Sequence, residues 1–255
     1  MLNLKDYVEF QKGTVPLIIS IPHGGTLECE NIPKRSQGIL GIDGKTIELA
    51  KILVERVKKK FETQNKENNI PSYVISKVRR SKIDLNREET EAFVQNSGIA
   101  KQIYNSYHEK IKEFVMANVR FFTRSLLIDI HGFEKNKRPP GFRDVDIILG
   151  TNNLESFFSE PTHRKNWGNN LRGEIIQKFL DLEIPIAPSH PKRKEYVLTG
   201  GYITKKYGAS QIPKSQAIQI EFSDKIRIQD RVLREIVLNA LAKILVKKLL
   251  EIERV

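Results

Sequence analysis

The 255-residue sequence contains one cysteine, one tryptophan and two methionines. The lone cysteine, Cys29, excludes a disulfide within the chain and a zinc finger built on several cysteines. The longest apolar runs, at 125–130 and 145–149, fall far short of the ~20 residues that a membrane-spanning helix needs. A signal peptide is not indicated, because no basic region precedes an apolar run that ends in a small-residue cleavage site. We therefore expect a cytoplasmic protein without a membrane partner.

The composition is that of a folded protein. Hydrophobic residues make up 39% of the chain and charged residues 29%, which supplies enough apolar mass for a core and excludes a disordered or collagen-like chain. The length suits one large domain or two small ones. Because no linker, repeat or low-complexity tract divides the sequence, we predict one domain over residues 1–255.

The charge is strongly one-sided, with 43 lysines and arginines against 31 aspartates and glutamates, a net charge of +12. Such a surplus attracts nucleic acid, an anionic surface or an acidic small molecule. The basic residues are dispersed along the sequence, and no aromatic-interleaved RNA-binding motif or recognition helix is present. We therefore do not expect nucleic acid as the partner. A basic binding module, for nucleic acid or an anionic ligand, remains the alternative to an enzyme.

Strand-like and helix-like patterns alternate along the chain. The predicted strands are 15–21, 70–78, 126–130, 145–149 and 217–222, and the predicted helices are 43–61, 99–119, 171–180 and 230–252. This alternation predicts an α/β fold, a three-layer α/β/α sandwich with a mostly parallel central sheet. In such sheets ligands bind beyond the carboxyl ends of the strands.

Two of the five histidines stand at the ends of predicted strands. His23 precedes two glycines, which let a ligand approach the backbone, although a histidine that only caps a turn is the alternative. His131 follows Asp129 by two residues, so the two side chains share one face of a strand. A carboxylate beside an imidazole is a usual arrangement behind a metal ligand, so the pair favours a zinc-type site. For His108, in a predicted helix, a structural contact competes with a functional role.

A catalytic zinc usually takes three protein ligands, and one must be added to the two histidines. The candidates are Glu28, Cys29, Glu30 and Asp43, and the residues alone do not choose among them; Asp43 also suits the N-cap of the first helix. Glu221 ends an apolar strand, where a carboxylate is costly unless it is paired or metal-bound. It is predicted to be a general base for hydrolysis, with a structural salt bridge as the alternative.

An arginine-rich segment follows the second predicted strand. Arg87, with Arg79 or Arg80 nearby, offers a planar guanidinium to a carboxylate or a tetrahedral oxyanion, and an ordinary surface arginine is the alternative. Further along, a glycine-hinged loop presents the hydroxyls of Tyr202 and Thr204, although a plain β-turn explains that segment equally well.

Taken in chain order, these motifs resemble the N-formylglutamate amidohydrolase family, which belongs with the zinc-dependent carboxypeptidase-like enzymes. The matching motifs are Pro22-His23-Gly24-Gly25, Asp43, Asp84-Leu85-Asn86-Arg87, Tyr107-His108, Asp129-Ile130-His131-Gly132, Asp146 with Leu149-Gly150-Thr151, the loop 200–204 with Tyr207-Gly208, and Gln219-Ile220-Glu221. The resemblance covers about residues 15–225.

The resemblance implies a function and a site. Its implied metal ligands are His23, Asp43 and His131, holding Zn²⁺ or another divalent metal such as Co²⁺. Its implied catalytic residues are Glu221 as general base and Arg87, and its implied substrate-binding residues are Arg80, Asn86, Arg87, Tyr202 and Thr204. Carboxypeptidases and aspartoacylases place a glutamate three residues after the first histidine, where this sequence has Thr26, and that departure favours Asp43.

The implied reaction is hydrolysis of the amide of a small acidic N-acyl amino acid such as N-formyl-L-glutamate. The alternative within the same superfamily is a zinc amidase or carboxypeptidase that acts on peptide-like substrates. The segment 133–144, rich in lysine, arginine and proline, follows the His131 strand and is expected to shape the pocket.

Overall fold

The computed structural model describes residues 3–137, 144–196 and 198–251. The strands are β1 (Val8–Gln11), β2 (Leu17–Ile21), β3 (Ser72–Ser76), β4 (Ser125–Phe133), β5 (Ile147–Gly150), β6 (Ile186–Ala187) and β7 (Ser215–Ser223). The α-helices are α1 (Thr46–Glu62), α2 (Glu89–Ala92), α3 (Gly98–Phe122), α4 (Leu171–Asp181), α5 (Tyr202–Tyr207) and α6 (Arg231–Leu250). Short 3₁₀ turns and one π-helical turn, Lys225–Gln229, connect some of these elements.

The seven strands form one sheet in the order β1-β3-β2-β4-β7-β5-β6. The central strands β3, β2, β4 and β7 are parallel to one another, whereas β1 and β5 run antiparallel to their central neighbours and β6 is parallel to β5. Helices α1, α4 and α6 cover one face, and α3 and α5 pack on the other. The predicted α/β/α sandwich with a mostly parallel sheet is confirmed. The carboxyl ends of the four parallel strands therefore meet at one edge.

The central strands are apolar on both faces because helices cover both. All five residues of β2 are buried. Leu17, Ile19 and Ile21 join the core beneath α1 and α6, whereas Ile18 joins the core beneath α3. On β4 the same alternation places Leu127 on the α3 face, so Asp129 and His131 follow it toward that face.

The structure differs from the sequence prediction in its short elements. β1, α2 and β6 were not predicted, and α5 forms where a loop or β-turn was expected. Helix α1 begins at Thr46, and its N-cap is Lys45, so the N-cap role that was the alternative for Asp43 is wrong. Part of the segment 133–144 falls at 138–143, outside the described residues. Among the helices of the described ranges, none is long and apolar enough to cross a membrane.

Candidate metal site and active-site cavity

The chemically active residues lie at the edge where the parallel strands end. His23 follows β2 by two residues, Asp84 lies in the segment after β3, His131 is on β4 and Glu221 is on β7. The register pairs His131 directly with Glu221. Asp43 joins them from the loop before α1, where its backbone N–H donates to the carbonyl of His23 at 2.9 Å.

His131 is held by the carboxylate that the sequence assigned to it. Its Nε2 lies 2.8 Å from Oδ2 of Asp129, and the other oxygen of Asp129 accepts a hydrogen bond from the hydroxyl of Ser20. All three side chains are buried. Because the imidazole donates through Nε2, its Nδ1 is left to face the centre of the site.

His23 has an equivalent partner that sequence reasoning missed. Its Nε2 lies 2.6 Å from Oδ1 of Asp84, a fully buried carboxylate that also accepts from the backbone N–H of Asn86 at 3.1 Å and from Nε of Arg80 at 3.1 Å. Burial alone raises the pKa of Asp84, but His23 and Arg80 outweigh it and hold that pKa well below its usual range. In the sequence, the only indication that Asp84 has a role in the site is its place in the motif Asp84-Leu85-Asn86-Arg87.

Three acceptor atoms converge between these two histidines. The Nδ1 atoms of His23 and His131 are 3.1 Å apart, and Oδ2 of Asp43 lies 3.5 Å from the first and 3.3 Å from the second. With both Nε2 atoms donating to carboxylates, neutral imidazoles present only lone pairs here. Three lone pairs at this spacing repel one another unless a cation lies among them.

The donor set fits a divalent metal. The ligand atoms of His23, Asp43 and His131 all lie within 4.8 Å of one another, and two imidazoles with one carboxylate are ligands that zinc accepts. Each histidine has the buried carboxylate behind it that usually orients a metal ligand. The other candidates for the third ligand, Glu28, Cys29 and Glu30, do not line the cavity described below.

The pKa shifts of the clustered residues show that positive charge is favourable at the centre of the cluster. Burial lowers the pKa of His131, yet the charge and hydrogen bond of Asp129 and the hydrogen bond of Asp43 together raise it well above its usual value. Burial likewise raises the pKa of Asp43, but the two histidines hold it well below the usual range. The pocket therefore stabilises positive charge at its centre, whether a proton or a metal ion supplies it.

Glu221 lies beside this cluster on β7. It is buried, and Nε2 of Gln219 donates a hydrogen bond to its Oε1 at 2.8 Å. Burial raises the pKa of Glu221 above the usual glutamate value, with His131 and Gln219 opposing that shift. A structural salt bridge, the alternative role for Glu221, is not present within the described part of the chain.

Two side-chain amides tie the glycine-rich loop to the site. Asn86 accepts from the backbone N–H of Ile203 at 2.9 Å, and Gln219 accepts from the backbone N–H of Gly201 at 2.7 Å. A Cβ at Gly201 would lie 2.1 Å from the amide nitrogen of Asn86, so only glycine permits this approach. The loop is therefore fixed against the same two residues that flank Glu221 and His131.

A buried arginine that sequence reasoning missed also braces the site. Arg227 donates to the carbonyls of Phe222 and Phe133, each at 3.0 Å, and to the carbonyl of Gly44. Its guanidinium occupies the space that a side chain at position 132 would need, since a Cβ at Gly132 would lie 2.3 Å from Nε. One side chain thus links the ends of β4 and β7 to the loop that carries Asp43.

The predicted metal ligands and Glu221 line a cavity of about 850 Å³. Its lining includes the predicted site residues His23, Asp43, Arg80, Asn86, Arg87, His131, Tyr202 and Glu221. Arg87 is half-exposed at the mouth, and its Nε is 4.0 Å from Asp84. Arg80 is buried, and it is committed to Asp84 and Asp43. Thr204 is fully buried outside the lining, because α5 turns its side chain into the protein.

His108 lies apart from the cavity. Its Nδ1 is 3.0 Å from the hydroxyl of Tyr207. The rings around it are those of Tyr104, Tyr107, Tyr202 and Tyr207. Burial, with a smaller contribution from Lys206, lowers the pKa of His108 to about 3. The residue is therefore a neutral part of the core beneath α5.

The whole architecture is similar to two solved structures. N-formylglutamate amidohydrolase from Ralstonia eutropha JMP134 superimposes with a TM-score of 0.63 and 14% identity, over 96% of this chain and 98% of that one. The gene product Atu2144 from Agrobacterium tumefaciens superimposes with a TM-score of 0.55 and 14% identity, over 96% of this chain and 94% of that one. Protein-family models and curated proteins give no match. At the level of the fold, the resemblance indicated by the motifs is confirmed.

Proposed function

We propose that this protein is a metal-dependent hydrolase that cleaves the amide of small N-acyl amino acids such as N-formyl-L-glutamate. The observation that carries the proposal is the convergence of Nδ1 of His23, Nδ1 of His131 and the carboxylate of Asp43 beside the buried Glu221. A fold shared with an N-formylglutamate amidohydrolase supports the choice of reaction.

In this proposal His23, Asp43 and His131 hold one divalent ion, Zn²⁺ or an alternative such as Co²⁺. When bound, such an ion supplies a Lewis acid that polarises a carbonyl and makes water more acidic. Asp84 and Asp129 keep each imidazole in the tautomer that has a free Nδ1.

Glu221 acts as the general base. Its carboxylate takes a proton from the attacking water and returns it to the nitrogen that leaves when the amide bond breaks. Burial has already raised its pKa toward the working range of a base, and the hydrogen bond from Gln219 fixes one of its oxygens. The other oxygen is then directed to water and substrate.

Arg87 is the arginine available to substrate. It is half-exposed at the mouth of the cavity, and its contact with the carboxylate of Asp84 is long at 4.0 Å. Its guanidinium suits the substrate carboxylate or the developing oxyanion. Asn86 and Tyr202 complete this wall, whereas Arg80 serves to balance the charges of Asp84 and Asp43.

The test is formate release from N-formyl-L-glutamate by the purified full-length protein, assayed metal-free and after addition of Zn²⁺ or Co²⁺. We expect metal-dependent turnover, and a lower rate with N-formyl-L-leucine, which lacks the second carboxylate. Arg87→Ala should raise KM for the glutamate derivative more than for the leucine derivative. Metal-loaded protein without activity on any N-acyl amino acid would contradict the proposal.

The size of the cavity favours a second candidate. At about 850 Å³ it exceeds what one formylated amino acid fills, so a peptide-like amide also fits. Turnover of short peptides in the same assay, with no turnover of N-acyl amino acids, would assign the protein to the amidase or carboxypeptidase alternative.

A further inference from the structure

Five cationic side chains from two distant parts of the sequence share one concave surface. Arg164 and Lys165 come from a 3₁₀ turn, and Lys192, Arg193 and Lys194 come from the loop after β6. They line two adjoining hollows of about 590 and 420 Å³, which have Arg164, Lys192 and Arg193 in common. We call this surface the basic hollow. Folding thus brings together basic residues that are far apart in the sequence.

The charge of the basic hollow is not neutralised by the described part of the chain. All five cations are exposed, and none of them has a carboxylate within ion-pair distance there. The lining contains no acidic side chain, because Glu195 in the same loop turns inward. A concave surface with uncompensated positive charge concentrates anions.

The backbone beneath the basic hollow is fixed from inside the protein. Buried Arg172 donates to the carbonyls of Pro191 at 2.9 Å and Arg193 at 2.7 Å, and its Nε is 2.8 Å from Glu195. These contacts hold the loop that presents Lys192, Arg193 and Lys194. A ligand therefore meets cations whose backbone is already in place, which lowers the ordering cost of binding.

Two aromatic residues line the same surface. Tyr196 is 84% exposed, so its ring is open to a ligand, and the half-buried Trp167 forms part of the same hollow. We propose that the basic hollow binds single-stranded nucleic acid, with phosphates on the cations and a base against the ring of Tyr196. Stacking on an exposed aromatic beside a basic groove is how single strands are bound without sequence preference.

The shape distinguishes this partner from an anionic membrane. A membrane presents a plane of charge and favours flat or convex basic surfaces, whereas these cations surround hollows of a few hundred cubic ångströms. An acidic peptide would satisfy the cations, but it would leave the exposed face of Tyr196 without a planar partner.

The experiment measures binding of a fluorescein-labelled 15-nucleotide oligo(dT) to the full-length protein by anisotropy at 50 and 200 mM salt. Neutralisation of five phosphates predicts about a 100-fold loss of affinity over that range. Lys192→Glu/Arg193→Glu should weaken binding at least ~10-fold and make the salt dependence shallower. The matched control is Lys112→Glu/Arg120→Glu on α3, which makes the same change in net charge at exposed positions and should weaken binding less than ~3-fold.

Tyr196→Ala tests the aromatic contact. It should weaken oligo(dT) about 5- to 100-fold and leave competition by inorganic polyphosphate unchanged. Thermal unfolding checks that each variant is folded, and Lys165→Glu repeats the charge test from the other segment. Equal losses in the two double variants would overturn the proposal, as would oligo(dT) binding that is indifferent to Tyr196→Ala. Binding to phosphatidylserine vesicles without binding to oligo(dT) would also overturn it.

Discussion

Two buried clusters of charged side chains among the described residues differ in how their polar atoms are partnered. In the closed cluster, Glu195 accepts from Arg172 at 2.8 Å, from the hydroxyl and N–H of Thr151 at 2.5 and 2.8 Å, and from the N–H of Asn153 at 2.9 Å. Both carboxylate oxygens of Glu195 have donors from the chain, and the carbonyls of Pro191 and Arg193 accept from Nη1 and Nη2 of Arg172.

The open cluster consists of His23, Asp43 and His131, and its inner atoms face one another as acceptors. Its outer atoms are as well paired as those of the closed cluster, through Asp84 and Asp129. A cluster whose outer bonds are complete and whose inner atoms are acceptors that face one another is built to receive a cation. The difference teaches that burial of charge alone does not mark a functional site, whereas the convergence of several acceptor atoms on one point does.

The largest expected effect comes from the residue beside the open cluster. Glu221→Gln keeps the shape and the hydrogen bond from Gln219 but removes the base, so kcat should fall about 10²- to 10⁴-fold while the metal stays bound. Steady-state kinetics with metal analysis on the same sample measure both. A variant that retains full activity would remove Glu221 from the mechanism.

The next largest effect is expected from a substitution that disrupts the closed cluster. Arg172→Leu leaves the Glu195 carboxylate buried without its cation, so the free energy of unfolding should fall by about 3–5 kcal/mol. Denaturant unfolding should show the same loss with and without chelator, because no ion is needed there. Arg172→Lys keeps the charge and should lose less, and exposed Arg164→Leu should change stability by less than about 0.5 kcal/mol. If added metal restored the stability lost in Arg172→Leu, the closed cluster would be coupled to metal binding, and the prediction would be contradicted.

A smaller effect, on metal affinity, is expected from the carboxylates that are hydrogen-bonded to the two histidines. Asp129→Asn and Asp84→Asn each keep a polar partner but lose the charge that orients the imidazole, so metal affinity should fall about 10- to 100-fold. Titration with a competing chelator measures this. Asp146→Asn is the control, because that buried carboxylate pairs with Lys135 at 3.1 Å and contacts neither histidine. Equal losses in all three variants would show a general effect of lost charge.

The last prediction concerns His108, a buried histidine whose neighbours in the described structure are tyrosine rings. The pKa of His108 is about 3 in the folded protein against an ordinary value near 6.5, so the unfolded chain binds more protons between these values. Its stabilising contribution is complete above pH 6.5 and is lost as the pH falls, by about 1.4 kcal/mol per pH unit.

His108→Gln removes that dependence, so the stability difference between wild type and variant should shrink as the pH falls from 6.5 to 4.5. Denaturant unfolding at several pH values measures it. Exposed His163→Gln should leave the wild-type profile unchanged. A parallel profile for His108→Gln would show that the residue titrates normally in the folded state.

The same contrast explains what the sequence could predict. Long apolar strands and amphipathic helices produce sequence patterns that extend over several residues. The sequence therefore predicts β2, β4 and β7 and the functional residues at their ends. β6 has two residues and α5 has six, so both are too short to show a periodic hydrophobic pattern. Because α5 is a helix, Thr204 is buried in the protein and does not line the cavity as predicted. The pairings His23–Asp84 and Arg172–Glu195 depend on loop paths, and no local spacing encodes them.

The central claim is that the open cluster holds a metal ion, and metal content tests it most directly. The full-length protein is loaded with Zn²⁺, dialysed and analysed by mass spectrometry alongside His131→Ala, Asp43→Ala and His108→Gln. The account predicts about one zinc per chain in the wild type and in His108→Gln, and none in the other two variants. Wild-type protein without zinc after loading, or a full equivalent of zinc in His131→Ala, would contradict it.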